Sequence, residues 1–270
     1  MFVLISVVLS IAVLAVMLYF SKKRQSTLER KFETLVLLRQ VMLLSRKHRS
    51  ATHLALTKEV TDSELEEIEA LYDQMVDITN GLVANAPFDN KPMYRIFQLK
   101  LKGMHKEWQD RTVIRNQVIH GKTIRHCMFL MDEVAIAWLI ESEREDLSDE
   151  YHMNWQQILD SMEVLTQLRL CIPEIDTIDG RLRVKYYCDK TRRKLNQLSI
   201  ISPLSVASPA SSAAMRDLTE IAISEELDWT EEALYELTSD VSAVISQVYD
   251  QVLSDMTETL YLPLPRVAIA

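Results

Sequence analysis

Three features of the sequence predict an all-α fold. Its 270 residues include only 4 Gly and 7 Pro, too few for the turns of a β-fold, while the good helix formers Leu, Met, Ala, Glu, Lys and Gln abound. Apolar side chains recur three, four and seven residues apart, the spacing that gathers them on one helix face. The segments with this spacing are bounded by capping residues and proline breaks. The expected architecture is an N-terminal transmembrane helix followed by two up-and-down four-helix bundles. Residues 1–21 form the anchor, 22–262 the helical domain, and 263–270 a disordered tail.

Residues 1–20 carry no charged side chain, and only Ser6 and Ser10 interrupt the apolar run. About 20 such residues cross the hydrocarbon core as a helix. Nothing basic precedes the run and bulky Met17-Leu18-Tyr19-Phe20 closes it, so it does not read as a cleaved signal peptide. Lys22, Lys23, Arg24, Arg30 and Lys31 follow it. By the positive-inside rule the amino terminus lies outside and the body faces the cytoplasm, as a single-pass protein of the inner (plasma) membrane. Three cysteines without C-x-x-C spacing (Cys127, Cys171, Cys188) fit a reducing compartment.

A first helix runs from about Ser21 to Lys58, continuing the anchor. Thr61-Asp62-Ser63-Glu64 has capping-box form and opens the second, which lasts to Gly81–Pro87. The third begins at Asn90–Pro92, with proline in its first turn, and ends near Asp110. The fourth spans about Thr112 to Glu143. Ser148 is the expected cap of the fifth, which breaks at Ile172-Pro173. The sixth covers about Arg181 to Ile201, Ser208-Pro209 opens the seventh, and Asp228 to Glu231 cap the eighth. The eighth has the cleanest stripe: Leu234, Leu237, Val241, Val244, Val248, Val252, Met256 and Leu260. The body is too long for one four-helix bundle, and two accommodate eight helices.

The first helix breaks its own pattern. The seven-residue register from Leu28 passes Leu35 and Met42, reaches Arg49, and returns to Leu56. Companion positions read Phe32, Leu38, Ser45 and Thr52, with Arg46 and His53 on the flank. Taking a charge out of water costs several kcal/mol, so something negative or wet is expected against it. Two readings stay open. Long side chains can snorkel, or pair with a carboxylate across the bundle. Alternatively the guanidinium forks and flanking hydroxyls hold an oxyanion. A second polar interruption, Asn116, Gln117 and His120 in the fourth helix, is either a satisfied core cluster or a set of neutral donors to the same anion. His126 and His152 beside aromatics read as structural, and Arg192 and Arg193 as a solvated face.

The net charge of −9 and pI near 5.3 speak against nucleic acid as a partner. No H-E-x-x-H, Gly-rich phosphate loop or G-x-S-x-G occurs, the six histidines show no metal spacing, and no cofactor is expected. Leu101-Lys102-Gly103-Met104-His105 holds the letters of a histidine phosphotransfer site in the wrong order. A binding module, or a ligand-free helical scaffold at the membrane, is expected rather than an enzyme.

The segment Leu38 to Leu54, with its Arg46-x-x-Arg49-Ser50-Ala51 core, resembles the first helix of the nitrate- and nitrite-sensing (NIT) helical domain. So does the stretch Trp108 to Glu145, notably Arg115-Asn116-x-Val118-Ile119 and Ile124-Arg125-His126. The resemblance implies two up-and-down four-helix bundles and nitrate or nitrite held by inward arginines, here Arg49 and Arg46. Ser50 stands where that family usually has glycine. Its members also join an output module, whereas this chain ends soon after the eighth helix. Signalling is therefore expected to pass through another protein, and analogy with single-anchor sensors adds a possible homodimer.

Overall fold

Side-chain chemistry sets the starts of five helices among the described residues. The computed structural model describes residues 2–226 and 228–260, and for 2–5, 7, 8, 23–26 and 204 the backbone alone. Among these residues there are helices and no strands. Helix α1 runs Phe2–Thr57 without interruption. Thr61 caps α2 (Asp62–Asn85) with the complete reciprocal box: its hydroxyl accepts from the Glu64 N–H, and its own N–H donates to the Glu64 carboxylate at 2.7 Å.

Helix α3 (Lys91–His105) stops earlier than the spacing predicts. Arg111 folds back to cap it, its guanidinium donating to the carbonyls of Met104 at 2.6 Å and Gly103 at 2.8 Å, and also to that of Lys106. Glu107 takes the left-handed conformation at φ 53° that turns the chain away. Thr112 then caps α4 (Val113–Glu141). Ser148 is not a cap but the first residue of α5 (Ser148–Cys171), whose preceding residue makes no side-chain capping bond. Thr177 caps α6 (Ile178–Ile201) three residues before the predicted start. Pro203 opens one extra helical turn, α7 (Pro203–Val206), where only a break was expected. Ser208 caps α8 (Pro209–Ile223), and Thr230 accepts from the Ala233 N–H at the head of α9 (Glu231–Leu260).

The helices close into two rings of neighbours. In the first, α1 packs on α2, α2 on α3, α3 on α4 and α4 on α1; in the second, α5 meets α6 and α9, and α8 meets both of those. Contact between α4 and α5 joins the rings. One continuous apolar core runs through both, from Leu35, Leu38 and Met42 through Trp138 and Trp155 to Leu165, Ile245 and Val248. Each such side chain contributes about 1.5–3 kcal/mol by leaving water. Helices α1 and α9 share few close backbone approaches; long polar side chains span the seam between them.

The anchor expected at 1–21 falls in part on residues whose side chains lie outside the described set, and the expected tail at 263–270 lies outside it entirely. Among the described residues, no helix is long and apolar enough to cross a membrane. The described side chains from Leu9 to Lys22 are exposed. The three cysteines are buried and free.

Candidate functional site

The inward register of α1 turns polar where the sequence does. Ser45, His48, Arg49 and Thr52 are buried, and Arg46 and His53 half-buried. Several of these groups find partners. The Thr52 hydroxyl bonds back to the His48 carbonyl at 2.8 Å and accepts from the Asn116 amide at 2.9 Å, fastening α1 to α4. The Ser45 hydroxyl donates to the Met75 sulfur at 3.3 Å.

The arginines differ. Arg39, two turns earlier, reaches across the seam to Asp250 on α9 at 2.8 Å. Arg49 is only 7% exposed, yet among the described residues neither it nor Arg46 meets a carboxylate. Burial holds the Arg49 guanidinium well below its usual pKa, with repulsion from Arg169 and Arg46 adding to the effect. Arg169, on α5, is equally buried; burial, then Arg46, brings it down to about 9. Its guanidinium donates to the Thr238 hydroxyl at 3.0 Å and the Thr238 carbonyl at 2.8 Å, both neutral acceptors on α9. Arginine does not shed its proton near neutral pH, so the mutual repulsion persists.

A cavity of about 140 Å³ opens beside this cluster. Arg46, Lys47, Arg49 and Ser50 of α1 line one side, Ser239 and Ser242 of α9 the other. The Ser242 hydroxyl is buried with no hydrogen-bond partner, and so is His53 Nδ1. The His53 ring lies 4.0 Å from the Tyr235 ring; burial, then Arg169 and Arg49, bring its pKa down to about 4, which makes it neutral at pH 7. Cationic forks, the idle Ser242 hydroxyl and room for a small guest with a few waters are the parts of an anion site, while the Ser239 hydroxyl already donates to the Tyr235 carbonyl at 3.0 Å.

His120 does not line this cavity. It is fully buried on α4, on the opposite side of α1, where its Nε2 lies 2.9 Å from His48 Nδ1. His48 Nε2 in turn lies 3.2 Å from Nδ1 of His105 on α3, and His105 Nε2 lies 3.1 Å from Glu69 on α2. The predicted residues thus separate: Arg46 and Arg49 face α9, and His120 joins a histidine chain. Among the described residues no group of three or more His, Cys, Asp or Glu side chains is placed to hold a metal. His126 sits beside Phe97, and Arg192 and Arg193 share Asp189 on the surface.

Sequence reasoning missed Arg169, His48, Ser239 and Ser242. Arg169 follows Met162 and Leu165 at seven and four residues, which places it on the α5 stripe. His48 lies between Ser45 and Thr52 on the inner face of α1. The register carried both signals. No protein family, curated protein or solved structure matches this chain.

Proposed function

We propose that this protein binds a small planar oxyanion, nitrate or nitrite, in the seam between α1 and α9 and passes the resulting change to a partner protein. The observation that carries this reading is the buried Arg49 guanidinium, without a carboxylate among the described residues, at a cavity shared with Arg46 and the idle Ser242 hydroxyl. Arg49 and Arg46 are the ligands, and Ser50, Ser239 and Ser242 complete the shell. Arg169 adds charge behind them.

Without a guest, the like charges of Arg46, Arg49 and Arg169 oppose closure of the seam. An anion neutralises them and draws α9 towards α1, so it favours a closed arrangement over an open one. Differential binding of about 1–3 kcal/mol is typical of such coupling. The two rings of helices are read as two up-and-down four-helix bundles, in keeping with the resemblance to the NIT domain. Residues 1–21 anchor the module in the inner membrane with the helical body in the cytoplasm, a reading supported by the exposed apolar side chains from Leu9 to Phe20. A homodimer is part of the same reading.

Calorimetric titration of the full chain in detergent micelles with nitrate, nitrite and chloride tests it. Saturable heat with nitrate or nitrite, lost in Arg49→Ala and weakened in Arg49→Lys, is expected. Silence at millimolar anion, or an unaltered response in Arg49→Ala, refutes the assignment.

Arg39 and Asp250 favour a second reading. Their pairing supports a reading in which basic residues at this seam fasten α1 to α9. In a ligand-free scaffold, Arg49→Leu keeps or raises thermal stability and no anion changes it.

A further inference from the structure

Glu69, His105, His48 and His120 come from α2, α3, α1 and α4, one group from each helix of the first ring. They run in a line from a carboxylate that is 60% exposed to an imidazole that is fully buried. The inner end fixes the polarity. His120 Nδ1 lies 2.8 Å from the Asn116 carbonyl, which only accepts, so this nitrogen carries the hydrogen. At the outer end the Glu69 carboxylate also only accepts, so His105 Nε2 carries a hydrogen as well. Each of the two ring-to-ring contacts needs one more. Four hydrogens are required, and three neutral imidazoles bring three. A fully bonded chain therefore holds one extra proton.

The geometry points to a proton-binding site in this chain, and to tighter holding of that proton when an anion binds at Arg49. The second half rests on the anion reading above; the first does not. If His105 loses the extra proton, one contact must set two lone pairs against each other, at Glu69, between rings, or at Asn116. With the proton present every contact is satisfied wherever it sits, and it passes from ring to ring through the existing hydrogen bonds without any ring turning. The charged groups around the chain keep it at the Glu69 end. Glu69 and Tyr72 of α2 flank His105, whose ring stacks on Tyr72 at 3.9 Å. Arg111, from the segment after α3, acts against charge on His48 and on His120, and Arg49 of α1 acts against charge on His120. Among the described residues, α4 gives the chain the Asn116 carbonyl and His120 itself, and α5 contributes Arg169 behind Arg49. An anion on Arg49 removes one of the charges that oppose the proton, and by reciprocity the proton strengthens the anion.

Nitrogen-15 resonances of labelled histidine rings, assigned by single substitutions, test the chain without any anion. At pH 7, His48 and His120 are expected to be neutral with hydrogen on Nδ1, and His105 to carry hydrogens on both nitrogens. Three neutral rings, or a bare Nδ1 on His120, overturn the proposal. Nitrate titrations from pH 6 to 9 test the coupling. Affinity is expected to fall by up to about tenfold per pH unit as the chain gives up its proton. Glu69→Gln, at an exposed position, and His105→Gln should flatten that profile. An unchanged pH profile in both variants overturns the coupling. If nitrate does not bind at all, the arginine reading fails, and the ring resonances alone decide the chain.

Discussion

Arg39 and Arg49 lie on one helix and are both withdrawn from water, yet among the described residues only Arg39 meets a carboxylate. The register placed Arg49 inward from the sequence alone, because Leu35, Met42 and Leu56 share its face. What it left open was the partner, since a carboxylate can come from far along the chain, as Asp250 does 211 residues from Arg39. His48 gives a pH dependence at this scale. Burial, then His105 and Arg111, bring its pKa from 6.5 to about 3. Below pH 6.5 the unfolded chain binds this proton while the folded one does not, so stability falls with pH until about pH 3. One such group contributes a slope of up to about 1.4 kcal/mol per pH unit. Urea denaturation at pH 7, 6, 5 and 4 should show His48→Asn with a shallower decline than the parent chain. Parallel declines would show that His48 takes up its proton as readily folded as unfolded.

Some helix starts were legible from a local cap, though the Thr177 cap of α6 was not. The box at Thr61 and Glu64 and the Ser208-Pro209 start depend on neighbours in sequence, and both stand as read. The end of α3 was not legible, because Arg111 caps it from beyond a turn in which Glu107 adopts a positive φ. Two glycines make opposite predictions from similar sequence context. Gly81 lies inside α2 with open space where a Cβ would go, so Gly81→Ala should raise stability by about 0.5–1 kcal/mol. Gly180 lies in the first turn of α6, where an added Cβ would fall 1.7 Å from the Glu174 carbonyl oxygen. That oxygen is backbone and already accepts from the Thr177 hydroxyl at 2.8 Å, so the turn itself must shift. Gly180→Ala should destabilise by about 1–3 kcal/mol. Urea midpoints of the two variants check the pair: an unchanged or raised midpoint in Gly180→Ala would refute the crowding at α6, and a lowered one in Gly81→Ala the open space at α2.

Across the whole molecule, the proposed site lies at a seam where the backbones of the first and last helices make few close approaches. Within each ring, neighbours pack through apolar stripes, and periodicity made those stripes readable. The α1–α9 seam was not readable, because it joins the first helix to the last and its chemistry is divided between them. Arg39 meets Asp250 at one level and Arg46 and Arg49 face Ser239 and Ser242 at another, while Lys58 pairs with Glu232 near the end of α1. A ligand held in such a seam stabilises both rings together, since it binds only when α1 and α9 are both in place. At a nitrate concentration one hundred times its Kd, this linkage contributes about 2.7 kcal/mol. For a chain of this length that corresponds to a rise in Tm of roughly 5–10 °C. The parent protein should show the rise with nitrate and not with equal chloride, and Arg49→Ala should show neither. A rise of the same size with both salts would mark general screening of the exposed charges rather than occupancy of the seam.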